Sequence, residues 1–207
     1  MYVPSVNAVT DEELHEFLVN QGAGDLVTPT VDGLHATMLP LLYDPELGDH
    51  GSLLGHFARN NPHWQSEPTG QSLVILRGPD AYISPGWYAT KQEHGRVVPT
   101  WNYVTAHVYG DLHIHDDPAW LDAHVRRLTG HHESAEPQPW SVDDAPQPFI
   151  DGQLRAIIGV ELRISRIEAR AKLSQNRSTA DQAGVVAGLR ARGDYASAEA
   201  VQDAASR

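Results

Sequence analysis

The stretch Val98–Tyr109, with the sequence VPTWNYVTAHVY, is a long extended segment near the middle of the chain. Its large aromatic side chains lie on one side and its smaller side chains on the other. The first side carries Trp101, Tyr103, His107 and Tyr109, and the second carries Asn102, Val104, Ala106 and Val108. This period of two is typical of a β-strand, in which successive side chains point to opposite faces. The segment therefore predicts a long strand, followed by a turn at Gly110-Asp111.

Shorter strand-like segments lie on both sides of this long strand in the sequence. They are Leu26–Thr28, Ala36–Tyr43, Ser72–Leu76, Leu112–His115 and Val160–Ile164. Asp32-Gly33 predicts a turn between the first two, and Pro40 favours a sheet edge or a bulge. Ser72–Leu76 is a short apolar run, which indicates burial on both faces. Val160–Ile164 alternates with charged residues, which indicates a half-solvated antiparallel strand.

Local capping signals predict three helix starts. Thr10 with Glu13 forms a capping box, Asp117 precedes a proline at the first helical position, and Ser178 precedes a third helix. The central helix is expected to end at Gly130, and residues 131–148 are expected to form a loop. Gly193-Asp194 ends the third helix and caps a last, alanine-rich one. Because strands and helices do not alternate regularly, we predict an α+β fold, mainly β with peripheral helices.

This order of elements favours a β-barrel over a parallel sheet. No internal repeat or domain boundary is evident in the sequence. We therefore expect one domain over residues 1–207, with N-terminal, central and C-terminal helices around the barrel.

Composition limits the classes of function. The 207 residues carry a formal net charge of −12, from 27 acidic and 15 basic residues. This charge repels nucleic-acid phosphates and anionic membranes, so direct DNA binding is doubtful without a local basic patch. There is no cysteine, which excludes disulfides and thiol chemistry. No stretch approaches the roughly 20 apolar residues that span a bilayer. We expect a soluble cytoplasmic protein with no membrane partner.

The first polar stretch, GHFARNNPHW at residues 55–64, concentrates groups that can bind a ligand. Neutral imidazole from His56 or His63 can ligate iron axially. Arg59 and the neighbouring amides, Asn60 among them, can instead hold a phosphate or carboxylate by charge-assisted hydrogen bonds. A loop whose polar side chains cap a following helix explains the same composition, so these interpretations stay open.

A second stretch, from Gly78 to Tyr103, places aromatic residues among prolines and glycines. Aromatic side chains in a rigid loop commonly form the floor of a pocket for a planar ligand. Alternatively, they cover the mouth of the barrel. The candidate residues of this stretch are Tyr82, Ser84, Tyr88, Lys91, Trp101 and Asn102.

A third stretch, KLSQNR at residues 172–177, immediately precedes the helix that Ser178 caps. Its polar groups and the helix dipole can bind an anion, and Gln175 and Arg177 are the candidates. Alternatively, the polar residues are there because the helix starts with a cap at Ser178, which is a structural role that needs no ligand.

Other possible sites are weaker. The histidine pairs His113/His115 and His131/His132 have no nearby carboxylate at a familiar metal-ligand spacing, so solvated or locally hydrogen-bonded rings are expected. The chain also has no Gly-rich phosphate loop, no dinucleotide fingerprint, no nucleophile elbow and no basic recognition helix.

Together with Met1–Pro4, the three stretches resemble the PaiB family, whose members are commonly labelled FMN-binding negative transcriptional regulators. The resemblance covers nearly the whole chain. It implies an FMN-binding split β-barrel and a homodimer with cofactor pockets at the subunit interface. It also implies regulation, or redox chemistry at the flavin. Candidate phosphate or ring contacts are then Arg59, Asn60 and Lys91, and candidate stacking residues are Tyr82 and Trp101.

The same resemblance extends to haem-dependent piperazate synthases, which close N5-hydroxyornithine into a ring by forming an N–N bond. In such an enzyme the cofactor is haem b, and His56 or His63 is the expected axial ligand of the iron. Tyr88 and Arg59 would then orient an amino-acid substrate. A cofactor-free DNA-binding repressor is a third interpretation, against which the charge argues. The residues leave open the choice between FMN and haem, and whether the protein is an enzyme.

Overall fold

The computed structural model describes residues 1–206, which form seven β-strands and six α-helices. The strands are β1 (Ala23–Thr30), β2 (Gly33–Pro40), β3 (Leu42–Asp44), β4 (Ser52–Ala58), β5 (Ser72–Ile83), β6 (Thr100–His115) and β7 (Ile157–Lys172). The helices are α1 (Asp11–Val19), α2 (Thr90–His94), α3 (Pro118–Glu133), α4 (Gln147–Arg155), α5 (Thr179–Ala191) and α6 (Tyr195–Ala205).

The strands form one sheet in the order β2-β1-β5-β6-β7-β4-β3. Its registered pairs, β1–β2, β1–β5, β3–β4 and β4–β7, are antiparallel. Within residues 1–206, β2 and β3 are edge strands, so the sheet is open, as expected of a split rather than a closed barrel. The predicted fold class, mainly β with peripheral helices, is confirmed.

The predicted helix starts are confirmed because each depends on residues close together in sequence. The Thr10 hydroxyl accepts from the Glu13 amide at 3.2 Å, and the Glu13 carboxylate accepts from the Thr10 amide at 2.6 Å. The Asp117 side chain caps α3, and Ser178 caps α5. No helix within residues 1–206 is both long enough and apolar enough to cross a membrane.

The chain divides into two compact units, each assembled from separate segments. Unit 1 comprises Met1–Leu14, Arg77–Ala106 and the chain from Glu168 onward. Unit 2 comprises His15–Leu76 and His107–Ile167. Three strands, β5, β6 and β7, each begin in one unit and end in the other. The expected single domain over residues 1–207 stays a prediction.

Each unit has its own apolar core. The core of unit 1 joins the end of β5 to α5 and α6, through Ala81, Ile83, Tyr88, Leu173, Val185, Leu189, Ala198 and Val201. Unit 2 buries side chains of β4 and β7, including Leu53, Leu54, Phe57, Ile158, Val160 and Leu162. Each fully buried aliphatic or aromatic side chain stabilises the fold by about 1.5–3 kcal/mol, which makes these strands and helices rigid supports for a site.

The predicted turn at Gly110-Asp111 is wrong, because β6 continues through both residues to His115. A Gly-Asp pair favours a turn locally. Here the glycine serves a close approach instead, since a Cβ atom at Gly110 would overlap the backbone carbonyl of Arg163. Pairing with the neighbouring strand therefore decides the conformation.

Two other strands differ from prediction in length and burial. β5 runs on to Ile83, and its first residues alternate between buried and half-buried positions, so the expected burial on both faces is wrong. β7 runs from Ile157 to Lys172, and Glu161, expected on a solvated face, is buried. Buried partners make this carboxylate tolerable there, as described below.

The expected loop over residues 131–148 is only partly correct. The central helix α3 continues past Gly130 to Glu133, and α4 begins at Gln147. Between them, Ser141 and Asp144 form a capping box around a short 3-10 turn. The acidic and proline-rich composition thus obscured the last turn of α3.

Candidate functional site

The predicted site residues lie in both compact units. His56, Arg59, Asn60 and His63 belong to unit 2. The remaining candidates belong to unit 1, namely Tyr82, Ser84, Tyr88, Lys91, Trp101, Asn102, Gln175 and Arg177.

His56 lies on β4, opposite Gly159 of β7, rather than in a loop. Its ring is half buried, and its Nδ1 shares a 3.1 Å hydrogen bond with Nε2 of His124 on α3. Burial lowers the pKa of His56, so the ring is neutral at pH 7. A neutral imidazole whose Nδ1 is held by a partner has its Nε2 left for a ligand.

His124 is the buried partner of His56, and it stacks on Trp120 of the same helix. The two ring centroids are 5.2 Å apart, and the planes differ by 19°. Trp120 also stacks on His115 at 4.2 Å, with planes 5° apart. Burial, then the charges of His56 and Arg127, lower the pKa of His124 to about 4. The neutral His124 ring keeps its Nδ1 buried without a hydrogen-bond partner among residues 1–206.

Glu161 anchors the far side of this stack. Its Oε2 lies 2.9 Å from His115 Nε2, and its Oε1 accepts from Ser52 at 3.1 Å and from Arg163 at 3.0 Å. Burial alone would raise the pKa of Glu161, but hydrogen bonds from Arg163, His115 and Ser52 outweigh it, and the pKa is lowered. The carboxylate therefore stays ionised and fixes the His115 ring against Trp120.

His63 is less accessible than His56. It lies in a short 3-10 turn, where its Nδ1 shares a 2.9 Å hydrogen bond with Thr37 and its ring packs against Phe57. Burial, then the neighbouring His35, lower the pKa of His63. Its Nε2 is buried without a partner among the described residues. A group that reached this nitrogen would have to displace its neighbours, so His56 is the better placed of the two histidines.

Arg59 is engaged by the protein itself. It donates to the Asp116 carboxylate at 3.1 and 2.5 Å, and to the backbone oxygens of Arg155 at 2.7 Å and Ile157 at 3.0 Å. The hydrogen bond to Asp116 raises the pKa of Arg59. These contacts tie the end of β4 to the start of β7. Asn60 follows at an exposed position. Phosphate binding by Arg59 or Asn60 stays a prediction.

In unit 1, Trp101 and Tyr82 form an exposed aromatic pair. Their ring centroids are 6.2 Å apart, and the indole N–H of Trp101 donates to Asp80 at 2.9 Å. This bond fixes the indole, although half of the residue (49%) is exposed. Ser84 caps the short turn Pro85–Trp87, and Lys91 is exposed on α2. The aromatic pair therefore offers flat, oriented apolar surface.

The segment after β7 is held by buried amides. Asn102 is buried and donates to the Ser174 hydroxyl at 2.9 Å. Ser174 has φ +64°, a left-handed conformation that a side chain other than glycine adopts only when its surroundings hold it. Gln175 accepts from the Leu173 amide at 2.7 Å and donates to the Ala171 carbonyl at 2.5 Å. Asn102 and Gln175 thus shape the backbone of this turn.

Tyr88 and Arg177 lie together. The guanidinium carbon of Arg177 lies over the Tyr88 ring, 4.6 Å from its centroid. The Tyr88 hydroxyl is buried and forms no well-aligned hydrogen bond with the described residues. Burial raises the pKa of Tyr88 and outweighs the opposing effect of Arg177. The phenol is therefore protonated at neutral pH.

These arrangements fit a planar cofactor. The exposed aromatic pair suits a flavin ring, and the cations around Arg177 suit its phosphate. The half-buried, neutral His56 suits haem iron, because iron ligation needs a deprotonated ring nitrogen. Among residues 1–206, no group of three or more histidine, aspartate or glutamate side chains is arranged to hold a metal ion.

Sequence reasoning missed several residues of these clusters. His124 lies 68 positions after His56 in the sequence, and Trp120 and Glu161 are also far from His56. No local sequence spacing therefore connects these residues. Lys172 belongs to the third stretch but is not one of the candidate binding residues predicted there. The signal available was the helical spacing of Trp120 and His124, which places both rings on one face of α3.

A family model described as "Putative FMN-binding domain" matches residues 1–166. The chain is also 33% identical over 188 residues to the "Protease synthase and sporulation protein PAI 2" of Bacillus subtilis (strain 168). That alignment covers 90% of this chain and 87% of the relative.

Two solved structures share the fold at low sequence identity. A conserved hypothetical protein from Mycobacterium tuberculosis has a TM-score of 0.57 and 14% identity, over 86% of this chain and 94% of that one. The FAD and heme binding protein from Mycobacterium smegmatis has a TM-score of 0.56 and 13% identity, over 86% and 80%. These likenesses show the fold alone. The family match and the extent of the PAI 2 alignment establish the relationship that the motifs predicted: the chain belongs to the PaiB-like FMN-binding domain family.

Proposed function

We propose that this protein is a PaiB-like flavoprotein that binds FMN and acts in regulation or in flavin redox chemistry. The family match over residues 1–166 carries this proposal. The exposed pair Tyr82 and Trp101 supports it, because both rings are available for stacking and the indole is already fixed by Asp80.

In this function, Trp101 and Tyr82 stack on the flavin ring, while Lys91 and Arg177 hold its phosphate. Bound FMN supplies reversible one- or two-electron transfer. The protein orients the ring and limits the access of water to it. We also propose a homodimer with a cofactor site at the subunit interface, so that a small-molecule ligand meets residues of both copies.

Flavin titration of a matched pair of tryptophan variants tests the proposal. Trp101 and Trp140 are almost equally exposed, at 49% and 48%, but only Trp101 belongs to the aromatic pair. We expect Trp101→Ala to weaken FMN binding about threefold to tenfold through lost stacking, and Trp140→Ala to bind as the parent protein does. Light scattering should show FMN eluting with a dimer. A parent protein that takes up no FMN would contradict the proposal.

The histidine pair favours a second function, a haem-dependent enzyme that resembles piperazate synthase. Here His56 holds the iron of haem b through Nε2, while His124 accepts from His56 Nδ1–H and fixes the ring. One of the two solved structures above is named as binding both FAD and heme, so the fold accommodates either group in that protein. Haem would supply a Lewis-acidic iron that activates an N-hydroxylated amine, and Arg59, in the same unit as His56, would orient the amino acid.

Absorption spectra separate the two functions. After expression with a haem precursor, a haem protein has a Soret band that His56→Ala should abolish and His113→Ala should leave unchanged. His113 is a suitable control because it is also half buried on a strand, whereas the hydrogen bond to His124 comes from His56. Flavin absorbance without a Soret band would reject the haem function.

A further inference from the structure

Three basic residues, Arg170, Lys172 and Arg177, form a cluster where β7 ends in unit 1. The Lys172 ammonium donates to the Thr100 hydroxyl at 2.5 Å. Arg170 lies over the Tyr103 ring, and Arg177 lies over the Tyr88 ring. All three charges are thus placed by neutral groups.

These cations differ from several other basic residues of the chain. Arg59, Arg126, Arg127 and Arg163 each form an ion pair with a carboxylate. Among residues 1–206, none of the ion pairs includes Arg170, Lys172 or Arg177. The cluster therefore holds three like charges without a direct ion pair, although the buried Asp181 carboxylate interacts electrostatically with Arg177.

The lack of compensation has a measurable consequence at Lys172. Burial, then the charges of Arg170 and Arg177, lower the pKa of Lys172. Like charges in a half-buried position repel one another, which raises the free energy of the folded protein. A bound anion would reduce this repulsion.

Two buried polar groups at the cluster also lack partners. The Arg170 Nε and the Tyr88 hydroxyl are both inaccessible to solvent and form no well-aligned hydrogen bond among the described residues, although Arg177 lies close to the hydroxyl. Tyr88 as a whole is 2% exposed. Buried polar groups are nearly always paired, so such exceptions commonly mark the place of a ligand. The left-handed Ser174, held by Asn102, fixes the turn that carries Arg177.

We propose that Lys172 and Arg177 form a binding site for an oxyanion, the phosphate or carboxylate of a small molecule, with Arg170 as a positioning residue. Lys172 has ammonium donors beyond the one given to Thr100, and the Arg177 guanidinium forms no ion pair. Both can therefore form charge-assisted hydrogen bonds to the anion. The overall net charge of −12 repels anions, so binding must come from this local cluster. The site requires an oxyanion only, and it stands even if no flavin binds.

Calorimetric titration with inorganic phosphate tests the site on the cofactor-free protein at constant ionic strength. Lys172→Gln and Arg177→Gln each remove one charge, and Arg96→Gln removes one charge from an exposed residue of the same unit. We expect about tenfold weaker phosphate binding in the first two variants, the loss of roughly one charge-assisted hydrogen bond, and parent-like binding in Arg96→Gln. Lys172→Arg, which keeps the charge, should retain phosphate binding and excludes misfolding as the cause.

Equal binding by all variants, or no binding of phosphate or succinate to the parent protein, would overturn the proposal. Competition then identifies the source of the anion. If FMN displaces phosphate but riboflavin does not, the site serves the flavin phosphate. If phosphate is retained while FMN binds, or if succinate is preferred, the site serves another small molecule. Either result supports the site, and a protein that binds phosphate but no flavin would refute the flavin function alone.

Discussion

Buried polar side chains set the geometry at the scale of single residues. Glu161, Asn102 and Asp181 are all nearly inaccessible, and each is held by hydrogen bonds from elements far away in sequence. A buried polar group without such partners costs about 1–3 kcal/mol, so the partners are part of the fold. Asp181 is the clearest case, since its carboxylate accepts from both the amide and the hydroxyl of Thr90 and so fixes the start of α2.

Asp181 should make stability depend on pH. Burial alone would raise its pKa, but the hydrogen bonds from Thr90 and Ser178 and the charge of Arg177 lower it. Because the unfolded chain takes up this proton first, stability is complete above the unfolded pKa, about 4, and is lost as pH falls through the lower folded pKa. We expect Asp181→Asn to lose about 1–3 kcal/mol of unfolding free energy at pH 7. Chemical denaturation from pH 7 to 3 measures both effects.

Asp49→Asn, at an exposed position, is the control for Asp181→Asn and should behave as the parent protein. An Asp181→Asn variant with undiminished stability at pH 7 and an unchanged acid slope would show that Thr90 does not depend on the carboxylate.

The candidate site could be predicted from sequence only in part, and the reason is visible at this scale. His56, Tyr88 and Arg177 could be proposed as candidates because their types of side chain can bind a ligand. The partners that set their properties, His124 for His56 and Lys172 beside Arg177, depend on which strands and helices meet. Arg59 shows the converse, because a motif arginine suited to phosphate is held by Asp116.

At the scale of elements, close approaches govern how helices and strands pack. The ring of Trp87 lies against α5, where a Cβ atom at Gly188 would overlap the indole. The guanidinium of Arg192 covers the same ring at 4.5 Å. Gly188 thus leaves room for Trp87, whereas a Cβ atom at Gly130 on α3 would have no neighbouring atom within 4 Å among the described residues.

Two alanine substitutions should therefore have opposite signs. Gly130→Ala should stabilise the protein by up to about 1 kcal/mol, because alanine has the higher helix propensity. Gly188→Ala should destabilise it by about 1–3 kcal/mol, because overpacking displaces Trp87. Urea denaturation measures both, and tryptophan emission reports the displacement of the ring. Stabilisation by both substitutions would mean that the contact between Trp87 and α5 is absent in solution.

The elements also show which parts of the fold are readable from sequence. Thr10, Asp117 and Ser178 predicted helix starts correctly, because a cap acts within three residues. The turn predicted at Gly110 was wrong because the backbone that it approaches, at Arg163 on β7, lies more than fifty positions away in the chain. Sequence signals such as helix caps therefore predict structure reliably where only neighbouring residues decide it. They fail where pairing between distant strands decides the conformation.

At the scale of the whole molecule, net charge decides how the protein meets polyanions. With a charge of −12, we expect no retardation of promoter DNA in a gel at about 0.15 M salt, where only short-range contacts survive screening. Any shift seen at low ionic strength should disappear as salt is raised. A saturable shift that withstands competitor DNA at that salt concentration would restore direct DNA binding as a function.

The interleaving of segments within each unit has a consequence for how the chain folds during synthesis. Unit 2 needs residues up to Ile167, and unit 1 needs the chain from Glu168 onward, so neither is complete until β7 has left the ribosome. About a hundred residues are synthesised between His56 on β4 and Gly159, its partner in the register of β7. Pairings so distant close slowly. Neither core can therefore be completed before β7 has been synthesised.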